Sequence, residues 1–406
     1  MQDDLPKESP FSPGKPVPVE YFVARRKEIE RLERAIQQTA SGRNENIFIE
    51  GERGIGKSSL ARFIRYLAGK NHDMIGCHCL LGGVKDLEGV MQVVFQRLLE
   101  QVSERSLSET LKKIFAKHIK GVTLFGVGID FTDDPSELRA LVNNFLPAIR
   151  KVCDAIKVTQ RKGLILILDD LNGITRVPEF SHFLKSTVDG LAISHETLPL
   201  LLVLVGTPER REELIKHQPS VGRIFDIVSL TPMDNNESKQ FFESAFGKKN
   251  VEIDSDAMSD MVDFSGGFPM LMHEIGNEVF WQDVDHHVDS EDATNGIISA
   301  AKNVGKKYLD PQVYRTIRSD TYRSILRKMG QLDLGTRFQR KVILEKVTET
   351  ERKTFDNFLK KMKKLGVIHE TEVRGEYEFT NQLYHLYVGM EAFKVTIQVS
   401  KITITY

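Results

Sequence analysis

The chain has 406 residues, 40% of them hydrophobic and 28% charged, with a formal net charge of −1. That length exceeds one small domain and predicts two or three, while the composition is that of a soluble globular protein. No apolar run approaches the roughly 18 residues of a membrane span, the first ten residues lack a signal peptide's basic start and apolar core, and three cysteines are too few for a disulfide framework or a four-thiolate metal site, so a cytoplasmic protein with no membrane partner is expected.

In chain order, residues 1–20 carry Pro6, Pro10, Pro13, Pro16 and Pro18 and no apolar period, which predicts an extended leader outside the core. A helix starts near Arg25, with Ile29, Leu32 and Ile36 at helical spacing and Ser41-Gly42 closing it. Residues 46–50 predict a short strand, and residues 58–68 a helix with Leu60, Phe63, Ile64 and Leu67 on one face. A second strand follows at 74–81, where Cys77 and Cys79 share a face and read as buried, inert thiols, then a helix at 87–102. Alternation with glycines at 120–132 predicts a hairpin inserted before a helix at 135–155. The apolar runs 163–168, 200–205 and 227–230 read as strands buried on both faces. Strands alternating with helices predict a parallel α/β sheet with right-handed crossovers. Residues 235–282 predict consecutive helices without a strand, and residues 283–310 are polar and give no clear element.

Between the first strand and its helix lies Gly51-Glu52-Arg53-Gly54-Ile55-Gly56-Lys57-Ser58, followed by Ser59. This satisfies G-x-x-x-x-G-K-[ST]. Glycines let successive backbone N–H groups turn inward around phosphate oxygens, and the helix that follows adds the positive end of its dipole. Lys57 brings a charge to the β/γ-phosphates and the Ser58 hydroxyl a ligand for Mg²⁺. An accidental Gly-rich turn would lack the strand before and the amphipathic helix after. ATP and Mg²⁺ are therefore the expected cofactors. Asp169-Asp170 end the run of five aliphatics 164–168. At that strand end Asp169 is expected to hold Mg²⁺ through water and Asp170 to orient or deprotonate the attacking water. Glu50, at the end of the first strand, is the next candidate for that second task.

Several further pieces resemble the AAA+/STAND ATPases, a group that includes archaeal-type ATPases and initiators related to the origin-recognition complex. Phe22-Val-Ala-Arg-Arg-Lys-Glu28 resembles the family's "FVGRE" box, with Ala24 in place of glycine. Val205-Gly206-Thr207 resembles the sensor-1 position, with Arg210 following as in the STAND group. Ser265-Gly-Gly-Phe-Pro269 resembles the Gly-x-Pro motif of the STAND helical lid, and Pro269 stands where AAA+ initiators carry an arginine. The resemblance implies a P-loop ATPase core over 21–232, a helical lid over 233–310 and a winged helix over 311–406 ending in a tail. It also implies a slow, partner-regulated ATP-hydrolysing switch, in which ATP binding brings the lid onto the core. Arg223 lies where relatives carry an arginine finger acting in trans, and Arg210 and Arg211 compete for that role, which implies a homo-oligomer.

The C-terminal segment reads as helices at 322–329, 337–347 and 350–365, then two short strands flanking Arg374-Gly375, the order of a winged helix. Residues 311–390 hold sixteen Lys/Arg against ten Asp/Glu. Lys360, Lys361, Lys363 and Lys364 lie on the third helix, the one that enters the major groove in helix-turn-helix proteins, and are candidates for phosphate contacts with duplex DNA. The wing is acidic (Glu370, Glu372, Glu376, Glu378), which favours the other reading, a signalling ATPase whose output is oligomerisation or contact with an effector protein.

Overall fold

The computed structural model describes residues 8–19, 22–101, 105–115, 119–122, 129–131, 134–193, 197–332 and 337–403. The chain divides into two compact units. One spans Pro16–Thr231; the other comprises the residues up to Lys15 and those from Pro232 onward.

In the first unit, β1 (Glu45–Gly51), β2 (Met74–Leu80), β3 (Gly163–Asp169), β4 (Leu200–Gly206) and β5 (Asp226–Leu230) form an all-parallel sheet in the order β2-β3-β4-β1-β5. Every residue of β3 and of β4 is buried, because central parallel strands are covered on both faces. Leu164, Leu166 and Leu168 pack with Phe95, Ile149, Phe180 and Leu184 on one face. Ile165 and Ile167, also buried, point to the other by the two-residue period of a strand. Burying each such side chain contributes about 1.5–3 kcal/mol, so the apolar runs that define the strands also fix their place at the centre.

Helix α1 (Arg26–Ala40) buries Leu32 and Ile36, and α2 (Lys57–His72) buries Leu60, Ala61 and Ile64. Helix α3 (Leu87–Gln101) follows β2. The hairpin arms are present as Ile119–Val122 paired antiparallel with Ile129–Phe131, while its turn at 123–128 and Thr132 lie outside the described residues. The helix expected at 135–155 is two helices, Pro135–Asn143 and Phe145–Val158, joined at Asn144.

In the second unit, helices Asn235–Gly247, Ser255–Ser265, Pro269–Gln282 and Ser290–Val304 pack together. Two readings are corrected. A strand does interrupt the helices, Glu252–Ile253 pairing in parallel with His287–Val288. The polar stretch from 283 contains the helix Ser290–Val304, capped by the Asp289 carboxylate, whose buried face is mostly small (Ala293, Gly296, Ala300, Ala301) and therefore weak in hydrophobicity. The leader is corrected as well. Phe11 is buried within 6.5 Å of the rings of Phe241, Phe242 and Phe246, and Gly276 leaves the space that its ring fills.

The C-terminal part is a winged helix: helices Asp320–Gln331, Arg340–Leu344 and Glu349–Lys364, with β6 (Arg337–Gln339), β7 (Ile368–Glu370) and β8 (Glu376–Phe379) in the antiparallel order β6-β8-β7. The predicted helix at 337–347 begins instead with strand β6, whose Phe338 packs on Tyr377 and Phe379 of β8. Where a tail was expected, the helix Gln382–Thr403 follows the wing. No helix among the described residues is long and apolar enough to cross a membrane.

Candidate functional site

The sheet order brings the chemistry together. β4 lies between β1 and β3, with Glu50 level with Gly206 and Leu168 level with Leu204. The carboxyl ends of β1, β3 and β4 therefore present the 51–58 loop, Asp169 and Thr207 at one edge of the sheet. Gly54 and Gly56 have φ of 81° and 97°, a region closed to most side chains, and this lets the loop turn on itself before α2.

Lys57 donates from Nζ to the Gly51 and Glu52 carbonyls at 2.8 Å each. Burial lowers its pKa, opposed by the nearby Asp169 carboxylate and assisted by Arg53. Ile55 is buried; Glu52 and Arg53 are exposed, and Ser58 and Ser59 half-buried. Ser59 Oγ accepts the Val17 N–H at 3.3 Å.

The FVARRKE box closes on this loop. Phe22 stacks on Phe63 of α2 with ring centroids 4.5 Å apart. Arg25 is 3% exposed and donates to the Ile55 carbonyl at 3.2 Å and the Thr231 carbonyl at 2.5 Å, tying the loop to the end of β5. Ala24 and Arg25 both have positive φ, 63° and 62°.

Asp169 is 2% exposed. Its Oδ1 accepts the Asp170 N–H at 2.7 Å and its Oδ2 lies 3.0 Å from His78 Nε2. Asp170 is exposed, has φ of 57° and accepts from Asn172. Glu50 is engaged at both oxygens, by Arg211 Nε at 2.6 Å and Ser229 Oγ at 2.8 Å.

Thr207 occupies the N-cap position of the helix α4 (Pro208–His217) without a side-chain capping hydrogen bond. A hydrogen bond from Thr207 holds the Glu209 carboxyl below its usual range, with the helix N-terminal backbone and Arg210 adding to it. Arg210 donates to Glu213 at 2.6 Å, and Thr175, in the turn after β3, donates to the same carboxylate oxygen at 2.5 Å. Arg223 is exposed on the short helix Val221–Ile224. Pro269 is the buried first residue of the helix Pro269–Gln282 in the second unit; before it, Gly267 has φ of 72° and its carbonyl accepts the Met233 N–H.

Residues 21–215 match the family described as AAA ATPase domain. The chain carries an AAA ATPase domain. A comparison with curated proteins finds no match. Among solved structures, the chain is similar to the ORC2 protein of Aeropyrum pernix in its ADPNP–ADP complexes, with 12% identity, TM-score 0.55 and coverage of 92% of this chain and 94% of that one. It is also similar to the Walker-type ATPase PABY2304 of Pyrococcus abyssi (18% identity, TM-score 0.49, 91% and 96% covered) and to Cdc6p of Pyrobaculum aerophilum (14%, 0.49, 95% and 98%). The likeness to ORC2 is one of fold.

Within the AAA domain, sequence reasoning missed His78, Glu209, Glu213 and the partnership of Glu50 with Arg211. His78, Glu50 and Glu213 depend on contacts between elements distant in sequence, whereas Glu209 meets Thr207 at the start of its own helix. For His78 a signal existed: it is the one strongly polar side chain in the strand 74–80.

Proposed function

We propose that this protein is an ATP-hydrolysing switch in which the 51–58 loop holds the nucleotide's phosphates. The observation that carries the reading is the phosphate loop and Asp169 at one sheet edge, with Lys57 close enough to feel the Asp169 charge. The Gly51–Ser59 backbone and Lys57 bind and orient the phosphates. Thr207 faces the same edge as a contact for the terminal phosphate.

The donor set fits Mg²⁺. A nucleotide-borne ion takes few protein ligands: one hydroxyl, Ser58, one carboxylate, Asp169, acting through water, and phosphate and water oxygens for the rest. The ion would supply charge neutralisation between phosphates. We assign the orienting of the attacking water to Asp170, which is exposed and accepts from Asn172, because Glu50 is occupied by Arg211 and Ser229. A shorter aspartate in this role supports slow turnover.

For the output, we read the second unit's helices over 233–310 as a lid, with Pro269 in its turn, and the winged helix as the partner-binding part. Lys360 and Lys364 are exposed and Lys361 half-buried, so duplex DNA is the first reading. An effector protein or further copies of this chain is the second, favoured by the pairing of Lys363 with Glu370 of the acidic wing at 2.8 Å. In an oligomer, exposed Arg223 is the candidate for completing a neighbour's site, since Arg210 and Arg211 are held by Glu213 and Glu50.

The test of the core reading is Lys57→Ala. Its fold should be intact by circular dichroism, and ATP affinity by calorimetry should fall by at least an order of magnitude, as expected on losing a charged contact worth about 1.5–3 kcal/mol. Wild-type affinity would remove Lys57 from the site.

A further inference from the structure

The Asp169 carboxylate is buried at a strand end, where two donors reach it from different elements. One is the backbone N–H of Asp170, at 2.7 Å from Oδ1. The other is His78 Nε2 on the neighbouring strand β2, at 3.0 Å from Oδ2. An ionised carboxylate only accepts, so Nε2 carries the hydrogen. His78 is itself held. Its N–H donates to Gln101 Oε1 at 3.1 Å and its carbonyl accepts from Gln101 Nε2 at 3.3 Å, both from α3. Arg65 of α2 donates to the same Gln101 oxygen at 3.1 Å. β2 is an edge strand, and Gln101 occupies the backbone groups at its open side. The side chains of His78 and Asp169 are 9% and 3% exposed, so bulk water competes little with their contact.

From this arrangement we infer that His78 is a positioning residue for Asp169, fixing the carboxylate's rotation so that an oxygen is presented to the nucleotide-bound cation. Two donors on two oxygens define the carboxylate plane, where one would leave it free to turn about its last torsion. Each oxygen still has a second lone pair for water or cation. Partners outside a metal's own ligands orient those ligands, and their loss typically costs 10–100-fold in metal affinity or activity. The inference rests on the reading of Asp169 as the carboxylate that meets the cation.

The test uses the full chain with the non-hydrolysable analogue AMP-PNP. Affinity is measured by calorimetry in excess EDTA and in MgCl₂, and bound Mn²⁺ is measured directly by electron paramagnetic resonance with AMP-PNP present. His78→Leu keeps an apolar side chain of similar bulk and removes the donor. It should weaken Mn²⁺ binding about 10–100-fold and shrink the gain in AMP-PNP affinity on adding Mg²⁺, leaving the affinity in EDTA unchanged. His78→Gln restores an N–H donor of comparable reach and should recover most of the Mn²⁺ affinity. Wild-type Mn²⁺ binding in His78→Leu would overturn the proposal. So would equal losses with EDTA and with Mg²⁺, which mark a merely structural role. Should His78→Leu fail to fold, His78→Asn, whose shorter amide falls short of Asp169, carries the same expectation. Asp169→Asn separates the premise: if it keeps wild-type Mn²⁺ affinity, the reading of Asp169 fails; if it loses that affinity while His78→Leu does not, only the inference fails.

Discussion

Ala24 sits at φ 63° immediately before Arg25 at φ 62°, and the pair aims the Arg25 guanidinium at the Ile55 and Thr231 carbonyls. An L-residue in the left-handed region costs about 1–2 kcal/mol relative to glycine, which is the residue the resemblance implies at this position. Part of that cost is returned by glycine's greater unfolded-state freedom, about 0.4–1 kcal/mol. Ala24→Gly should therefore raise stability, by up to about 1.6 kcal/mol, read as a higher denaturant midpoint with unchanged slope. A lower midpoint would show that Ala24's methyl packing outweighs the backbone strain. At this scale, what the sequence disclosed was what spacing alone encodes. Gly51, Gly56, Lys57 and Ser58 act through a loop of eight consecutive residues, so their order carries their geometry. His78 with Asp169, and Glu50 with Arg211, are joined only when strands or helices far apart in sequence become neighbours, and no local pattern records that.

The elements legible in the sequence were those with strong apolar contrast. β3 and β4 were readable because all their positions are buried. The helix Ser290–Val304 was not, because it packs through alanine and glycine, and β6 was not, because three residues cannot show a period. The leader misled for a different reason. It has no apolar period and turns at Ser12–Lys15, where the Lys15 N–H donates to the Ser12 carbonyl, yet Phe11 enters the core of the second unit beside His273. His273 Nδ1 accepts the Ser12 N–H at 3.2 Å, its Nε2 has no partner among the described residues, and burial pushes its pKa down to about 4. The folded state thus keeps this imidazole neutral where the unfolded chain, near 6.5, takes a proton. Unfolded chains bind more protons between those values, so stability falls as the pH drops from about 6.5 to about 4 and levels off below. The full effect is of order 3 kcal/mol. His273→Gln, which keeps an acceptor but does not titrate, should lose that part of the pH dependence in melts at pH 7, 5.5 and 4. Identical slopes in both proteins would place the acid sensitivity on other groups.

At the scale of the whole molecule, the net charge of −1 gives no general attraction to nucleic acid, so any duplex affinity must come from a local face. The third helix of the winged helix is the candidate, and its lysines are not equivalent. Lys363 Nζ is 2.8 Å from Glu370 and lies 5.8 Å from the centre of the Tyr377 ring, and the hydrogen bond it donates to Glu370 raises its pKa. That charge is already matched within the wing. His369 and Arg337 likewise meet Glu378, at 3.4 and 3.1 Å. Lys360, Lys361 and Lys364 remain the ones to meet phosphates. If the helix reads DNA, replacing those three with glutamine should lower the slope of log affinity against log salt by about 2.7, at about 0.9 for each phosphate no longer neutralised. Lys363→Gln alone should change it little. Nucleotide affinity should stay at the wild-type value in all variants, because these residues belong to the other compact unit. Fluorescence anisotropy with a labelled duplex and AMP-PNP, between low and physiological salt, reads both quantities. Binding that is absent at every salt, or present and indifferent to the triple substitution, would end the DNA reading of this helix. The effector-protein or self-association reading would then stand, favoured by a wing in which Lys363 is matched by Glu370 and Arg337 by Glu378.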